Sequence, residues 1–474
     1  MVMDLRSFMK RVDELGELLV IEGADWDSEI GAACFLAAKQ SPPPGVIFDK
    51  VKGYPAGYRI FANPYSNDKR AALTLGLPIE ASGLELVRKI RDKISKPVEL
   101  IPSTMVKSGP VTENVLAGDD VDLFKFPTPK WQPLDGGRYI GTGCTVIAKD
   151  LEEGWINVST QRVQIHDKST VTVFTEPGRH LDMIRKKYWA KGQSCPAVIT
   201  CGSHPAFVFV GGMRIPWGVC EYDYLGWFVG ESIEVIAGPT TGLPIPSHAE
   251  IALEGEMLPP EVESRIEGPF SEWTGHYSPA RPEAAFKVRA ILHRDDPIIL
   301  AVLPFLGPEG RSRSPFDMVK EAQVWNMLDM SVPGVKGVCT HREFGGMLVM
   351  VISIEQKYAG HAKQVALLAL GQMSYFTKFV IIVDDDIDPS NLSQVLWAVG
   401  LRSYPEEYDV IRNTLAGNLD PSVSPLKREL GDLTRSGLII LACRPFHWIK
   451  DYPIPVVPDP MMEKKIKAKW KDLA

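Results

Sequence analysis

The chain has 474 residues, 45% of them hydrophobic and 23% charged, with a formal net charge of -7. That length exceeds one ordinary hydrophobic core, so two or three domains are expected. The negative balance and the absence of a long basic run argue against nucleic acid or an anionic membrane surface as the main partner, though not against a small anion held by a buried arginine.

The opening MVMDLRSFMKRVDE carries charges where a signal peptide needs an apolar core. No apolar run approaches the ~20 residues of a membrane span. Seven scattered cysteines with no CxxC pair fit the reduced thiols of a cytoplasmic protein. Cys220, with no basic neighbour in sequence, reads as a core thiol rather than a nucleophile.

Asp4 is placed to cap a helix with Leu5, Phe8, Met9, Val12 and Leu15 on its apolar face, ending near Gly16. A strand follows over Leu18 to Ile21, then a helix capped by Asp27 and running through Ala38, then a strand over Val46 to Val51. Residues 1–110 therefore read as an α/β unit. Next comes a series of strands: Tyr139 to Ala148, Ile156 to Ile165, Thr170 to Thr175, Ala197 to Thr200, Ala206 to Val210, Ile233 to Ala237, Glu250 to Glu254 and Phe286 to Leu292. One helix, Leu181 to Lys191, interrupts them. Many short strands in series predict a barrel or sandwich over 111–315. Beyond it the pattern alternates: strand Gly345 to Glu355, helix His361 to Leu370, strand Phe379 to Val383, helix Leu392 to Val399. This predicts an α/β layered domain over 316–455. A Pro-rich linker and a Lys-rich amphipathic helix close the chain over 456–474. The helix suits docking on a second subunit, and equally a solvated terminus. The fold class is α+β.

Two carboxylates, Glu267 and Glu272, flank Gly268-Pro269 in the run IEGPFSEWTGHY. Glycine and proline disfavour a regular helix or central strand, so a shaped turn is expected. A turn can aim both acids into one cavity, where their pKa values are pushed apart for acid and base roles. Taken alone, the same stretch also reads as a solvated acidic turn. Asn157, His180 and Glu221 offer an amide oxygen, an imidazole and a carboxylate, which suit Mn or Mg better than a thiolate-type zinc site. In a chain with nine histidines that trio means little by itself. Arg162 has the planar fork that holds a carboxylate through two bonds. Asp384-Asp-Asp-Ile-Asp388 lacks the glycine and distal glutamate of a calcium loop and reads as a solvated strand end. Gly136, Gly137, Gly141 and Gly143 do not complete GxGxxG, and no Walker A, HExxH or GxSxG run occurs.

Four pieces stand in order: WINVSTQR at 155–162, EPGRH at 176–180, GGMRIPWGVCEYDY at 211–224 and IEGPFSEWTGHY at 266–277. Their order and spacing resemble the UbiD-like decarboxylases, enzymes that use prenylated FMN, over essentially the whole chain. The resemblance implies a central split β-barrel related to flavin reductases. It implies a divalent metal, Mn2+ or Mg2+, on Asn157, His180 and Glu221, gripping the flavin phosphate. K+ would sit nearby on backbone carbonyls around Val158, Val210, Gly211 and Met213. Ser159, Thr160, Gln161, Arg162, Arg179 and Met213 would line the cofactor, with Lys378 near its phosphate. Arg162, Glu267 and Glu272 match the family's catalytic network: Arg162 orients the substrate carboxylate, Glu267 supports Arg162, and Glu272 donates a proton after CO2 leaves a covalent flavin adduct. A cofactor is needed because no side chain can delocalise the carbanion that CO2 loss leaves on an sp2 carbon.

The expected function is reversible decarboxylation of an aromatic or heteroaromatic acid, a prenylated hydroxybenzoate among them. A flavin prenyltransferase would supply the cofactor, and a homodimer or higher homo-oligomer is expected. Trp273, Thr274 and His276 are expected to face the pocket, as is the stretch 305–316. Arg311 and Arg313 would suit a second anionic group, and equally the surface. Two other readings stay open: an accessory subunit of a multi-subunit (de)carboxylase, against which the complete Arg162, Glu267 and Glu272 set argues, and a plain FMN-binding or reductase-like protein, for which no nicotinamide fingerprint is present.

Overall fold

The structure is a computed structural model that describes residues 3–304, 314–373, 375–417, 419–454, 456 and 459–470. The helix Leu5–Glu14 begins as expected: the Asp4 carboxylate accepts from Ser7 N at 2.6 Å, and Leu5, Phe8, Met9 and Val12 are buried. The next helix, Glu29–Ala37, is capped by Ser28 at φ 66°, not by Asp27. Asp27 is unavailable because its backbone is bridged to Lys130 and its carboxylate takes the Ser28 hydroxyl.

Among the described residues four sheets form. In the first, Leu18–Glu22 pairs with Gly45–Asp49, which pairs with Arg59–Ala62, which pairs in parallel with Ile298–Ala301. The N-terminal sheet thus takes its last strand from far along the chain. A small sheet joins Thr104–Met105 to Glu234–Ala237 and Pro244–Pro246.

The central sheet has ten strands, all antiparallel. Its path runs Arg138–Gly141, Arg162–Ile165, Thr170–Phe174, Arg281–His293, Ile251–Met257, Cys195–Cys201, Cys144–Lys149 and Ile156–Thr160. Asn114–Ala117 and Ser264–Glu267 pair with the long strand Arg281–His293. Two of the predicted strands are each broken in two, and the breaks shape the sheet. Gln161 alone separates the last strand of the path from the second, and Thr142-Gly143 separates the first from the seventh. One or two residues cannot cross a flat sheet of this width, so the sheet must curl until its ends approach. Gly143 fits the corner because a side chain would lie 2.6 Å from the Leu300 carbonyl oxygen.

Ala206 to Val210, predicted as a strand, lies within the helix Pro205–Gly211. Every residue from Pro205 to Val210 is buried, so the run carries no periodicity to distinguish the two forms. Proline at the first helical position and His204 Nδ1 accepting from Ala206 N (3.2 Å) favour the helix.

The C-terminal sheet runs Val335–His341, Gly346–Ile354, Phe379–Asp384, Thr434–Ala442, Asp409–Leu415, with helices Pro315–Ser331, His361–Met373 and Leu392–Arg402 packed around it. One apolar core passes through all three regions, joining Leu86, Tyr222, Met318 and Val380. The acidic run is a solvated strand end only in part: Asp385, Asp386 and Asp388 are exposed, whereas Asp384, the last residue of Phe379–Asp384, is buried. Asp384 is 1% exposed and accepts from Gln356 Nε2 (2.8 Å), Arg444 N (2.7 Å) and Arg402 Nη1 (3.1 Å), while Asp386 takes Arg402 through two 2.7 Å bonds. Unpaired buried charge is costly, and these arginines remove that cost. The last described helix, Pro460–Lys469, leaves Met461 and Met462 exposed. No described helix is long and apolar enough to cross a membrane.

Two glycines test this packing in opposite senses. A Cβ on Gly31 would overlap the carbonyl oxygen of Trp131, whereas one on Gly371, in the last turn of His361–Met373, meets nothing within 4 Å. Gly31→Ala should destabilise by about 3 kcal/mol and Gly371→Ala should stabilise by about 0.5 kcal/mol. Calorimetric unfolding midpoints should move down and up respectively. Equal midpoints would contradict the packing at Gly31.

Candidate active site

The turn carrying the paired carboxylates is held from four sides. Gly268 sits at φ 82°, followed by a cis bond to Pro269. Gly268 N donates to Gln164 Oε1 (2.8 Å), and Gly136 N donates to the Pro269 carbonyl (2.7 Å). Ser271 N donates to Asp135 Oδ1 (2.9 Å), and Phe270 N donates to Ser278 Oγ (3.2 Å). A side chain at Gly136 would overlap the Gly268 carbonyl oxygen, so the two loops meet backbone to backbone. The sequence reading takes Gly136 only as part of an incomplete GxGxxG and does not single out Asp135. The Asp-Gly-Gly that ends the run PLDGG at 133–137 is the available signal.

So held, the turn aims both acids at Arg162. Arg162 Nε and Nη2 donate to the two oxygens of Glu267 at 2.8 Å each, and Nη1 donates to Glu272 Oε1. Tyr139 OH adds a 3.1 Å bond to Glu267. Glu267 is fully buried, and Arg162 and Glu272 are each 8% exposed. Phe174 lies against the Arg162 guanidinium on one side and that of Arg281 on the other, each 3.9 Å from the ring centroid. The two glutamates differ in environment. Burial raises the pKa of the Glu272 carboxyl, the Arg162 charge opposes that, and the neighbouring Glu267 charge adds to it. Burial works against the Arg162 charge, but the bonds and charge of Glu267, with the charge of Glu272, together outweigh it. One acid therefore anchors the cation, while the other is poised to carry a proton.

Asn157, His180 and Glu221 also converge. Asn157 lies on the strand Ile156–Thr160, but His180 and Glu221 open the helices His180–Trp189 and Glu221–Val229, not strands. Glu221 accepts from Val158 N (2.6 Å) and Asn157 Nδ2 (2.8 Å). Burial still pushes its carboxyl up to about 8. Asn157 Oδ1 is buried without a hydrogen-bond partner. The His180 ring packs against the edges of Trp155 and Trp217 at 5.6 and 5.2 Å. An orphaned amide oxygen, an imidazole and a buried carboxyl group are a donor set that a divalent cation would satisfy once the carboxyl is ionised. Among the described residues no group of three His, Cys, Asp or Glu could hold a metal ion, so such a cation would need the Asn157 oxygen.

A cavity of about 1460 Å³ links the two clusters. Asn157, Ser159, Thr160, Gln161, Arg162, Arg179, His180, Met213, Glu221 and Glu272 all line it, as do Trp273, Thr274 and His276. Gly211 lines it too, whereas Val158 and Val210 do not. Glu267 lies behind Arg162. Lys378 is brought elsewhere: its Nζ reaches Ser422 Oγ (3.2 Å) and it does not line the cavity. It directly precedes the strand Phe379–Asp384, and its backbone bonds to Leu348 and Leu438 fix it there. Phe316 is on the wall, while residues 305–313, with Arg311 and Arg313, lie outside the described residues. The C-terminal domain contributes Lys320, Arg342, Tyr375 and Phe376, none of which the sequence singled out. The volume exceeds the roughly 300–1,000 Å³ of a single small-molecule site, leaving room for two molecules side by side.

Family profiles described as 3-octaprenyl-4-hydroxybenzoate carboxy-lyase match in three parts: its N-terminal domain at residues 9–90, its Rift-related domain at 104–306 and its C-terminal domain at 316–442. The pyrrole-2-carboxylic acid decarboxylase of Pseudomonas aeruginosa is 30% identical over 85% of this chain and 84% of its own. The closed form of vanillic acid decarboxylase from Sedimentibacter hydroxybenzoicus superimposes with a TM-score of 0.81 at 28% identity, covering 99% of both chains. An evolved dimeric form of the UbiD-class enzyme HmfF from Pelotomaculum thermopropionicum, in complex with prFMN, gives a TM-score of 0.82 at 26% identity, covering 98% of both. Sequence and fold agree over nearly the full length: this chain is a member of the UbiD family of carboxy-lyases.

Proposed function

We propose that this protein catalyses reversible, non-oxidative decarboxylation of an aromatic or heteroaromatic carboxylic acid with prenylated FMN as cofactor, and that its curled sheet is a split β-barrel of the flavin-reductase kind. The observation that carries the reading is the buried trio, in which Glu267 grips Arg162 through both oxygens while Glu272 holds the remaining nitrogen. Relatives that act on pyrrole-2-carboxylic and vanillic acids, and one bound to prFMN, support it. The prenylated flavin, when bound, supplies the electron sink that CO2 loss from an sp2 carbon requires. Ser159, Thr160, Gln161, Arg179 and Met213 would line it. Asn157, His180 and Glu221 would hold Mn2+ or Mg2+, and carbonyls near Gly211 and Met213 would take K+.

Arg162 receives the substrate carboxylate on the nitrogen that Glu272 occupies in the free protein. Glu267 keeps the guanidinium plane fixed meanwhile. Glu272 then loses its main charge-stabilising neighbour, while burial and the Glu267 charge remain, so it takes up a proton. The bond between the ring carbon and the carboxyl carbon breaks, and CO2 leaves. Glu272 delivers its proton to that ring carbon, and solvent restores it. Carboxylate plus one proton gives arene plus CO2; at high CO2 the same residue serves as the base. Trp273 stands edge-on to Phe376, with 6.3 Å between centroids, and a flat ring suits such walls. A flavin prenyltransferase would supply the cofactor. The exposed terminal helix Pro460–Lys469 would join subunits of a homodimer or larger homo-oligomer.

The direct test is anaerobic co-expression with a flavin prenyltransferase, followed by cofactor mass and a CO2-release screen over aromatic acids. Prenylated FMN with release from one acid class supports the reading; plain FMN beside an active prenyltransferase defeats it. Glu272→Gln should lower turnover by about 100-fold or more. Because a raised carboxyl keeps its proton above the ordinary range, wild-type decarboxylation should fall as pH rises through the raised Glu272 value, and the variant should lack that limb. Wild-type turnover in the variant would remove Glu272 from the mechanism.

The metal trio carries its own expectation. With Glu221 near 8, most of it is protonated at pH 7, and a divalent ion needs the carboxylate. Adding Mn2+ at pH 7 should therefore release close to one proton per ion bound, fewer as pH approaches 9. Calorimetry in buffers of different ionisation enthalpy measures this. Binding that releases no proton, or that survives Glu221→Gln unchanged, would place the ion elsewhere.

A further inference from the structure

The aromatic wall beside Glu272 carries a cation that no carboxylate neutralises. Phe376 stands edge-on to Trp273, which directly follows Glu272, and the Lys320 ammonium lies 3.7 Å from the Phe376 ring centroid. Trp273, Phe376 and Lys320 all line the cavity. Lys320 Nζ also donates to Met347 Sδ at 2.6 Å, and among the described residues no carboxylate lies within salt-bridge distance of it. A ring face and a thioether soften the desolvation of an ammonium without neutralising it. Asp317, one turn earlier on the helix Pro315–Ser331, is already engaged. Its carboxylate accepts from Ser314 N (3.0 Å) and Ser314 Oγ (2.9 Å) and lies 3.6 Å from Arg342 Nε. Arg342 faces the same cavity, so two cations share one carboxylate. Burial pushes the Lys320 ammonium down to about 8; the Asp317 charge opposes that, and the Arg179 and Arg214 charges add to it. At pH 7 it is still mostly charged. A desolvated cation short of a counter-ion costs free energy that an anionic ligand returns.

We infer that Lys320 sets substrate choice by taking a second anionic oxygen, at the end of the substrate ring remote from the carboxylate that Arg162 holds. This rests on the decarboxylase reading above. Contacts run from Glu272 through Trp273 and Phe376 to Lys320, so a ring laid along that aromatic pair, with its carboxylate at Arg162, would extend toward the ammonium. The second oxygen has two sources, a further carboxylate or a phenol that ionises against the ammonium. Either makes the same charge-assisted bond. An acid that lacks it leaves Lys320 uncompensated, and a site built around a polar contact rejects the analogue that cannot make it.

The test uses protein loaded with prenylated FMN and a series of benzoates that carry nothing further, a hydroxyl, or a second carboxylate at the 3- or 4-position. Binding is read from the change in flavin absorbance on rapid mixing, and turnover from CO2 release. Wild type should bind at least one hydroxy or dicarboxylic acid about tenfold or more tighter than benzoate. Lys320→Met should erase that difference, so that the series binds alike, with flavin content unchanged. Whether the hydroxybenzoate or the dicarboxylate loses its advantage identifies the source of the oxygen. A preference that survives in Lys320→Met overturns the inference. So does equal weakening of every acid, which would mark Lys320 as a packing residue, and so does loss of flavin with the acid ranking kept, which would assign the cation to the cofactor. Wild type that holds prenylated FMN yet releases CO2 from no acid brings down the decarboxylase reading, whereas turnover without a preference brings down only the role of Lys320.

Discussion

Two carboxylates and one guanidinium share a volume from which water is largely removed, and the state of that volume turns on a single proton. Arg162 cannot lose its charge, and Glu267 is bonded to it through both oxygens, so those two form a fixed pair. A second carboxylate beside them is one negative charge too many for a dry site. Burial and the Glu267 charge raise the Glu272 carboxyl, and the Arg162 charge opposes them. In the proposed reaction, a second carboxylate arriving at the same guanidinium would tip that balance toward the protonated acid.

The groups that shape the trio, backbone and side chain alike, are supplied from elsewhere in the chain. Arg162 opens a strand one residue after the strand that carries Asn157, so the curl of the sheet sets the distance between the Arg162 trio and the Asn157 cluster. The Glu267–Glu272 turn is pinned by Asp135 and Gly136, just before the first strand of the same sheet. The C-terminal layer closes the cavity with Lys320, Tyr375 and Phe376. No single region contains the site.

Much of this was legible in the residues. Helix starts marked by Asp4, alternating strands in the middle and the βα pattern toward the end were visible because their hydrophobic periods are clear. Ala206 to Val210 was not, because a run buried on every side has no period. The breaks at Gln161 and Thr142-Gly143 were hidden because strand propensity continues across them and tertiary curvature decides. Arg162, Glu267, Glu272, Asn157, His180 and Glu221 do converge, as the motif order implied. Lys378 does not, because nothing in its local sequence distinguishes a strand-end lysine from one aimed into a cavity. Lys320 was missed for the converse reason: it sits on a helix whose neighbours are mostly buried, and only the fold shows that it faces empty space.

The pairing of Arg59–Ala62 with Ile298–Ala301 bears on how the chain reaches this state. During synthesis the first three strands of that sheet are complete long before the fourth leaves the ribosome. Until then Arg59–Ala62 presents an unpaired edge, the kind of surface that recruits foreign strands. Closing so long a loop is slow, and it comes late. The N-terminal segment is therefore finished by the central one, and a fragment ending near residue 110 would lack a strand of its own sheet. The same arrangement ties completion of the curled central sheet to the sealing of the N-terminal layer, so a chain stalled before residue 298 exposes both at once.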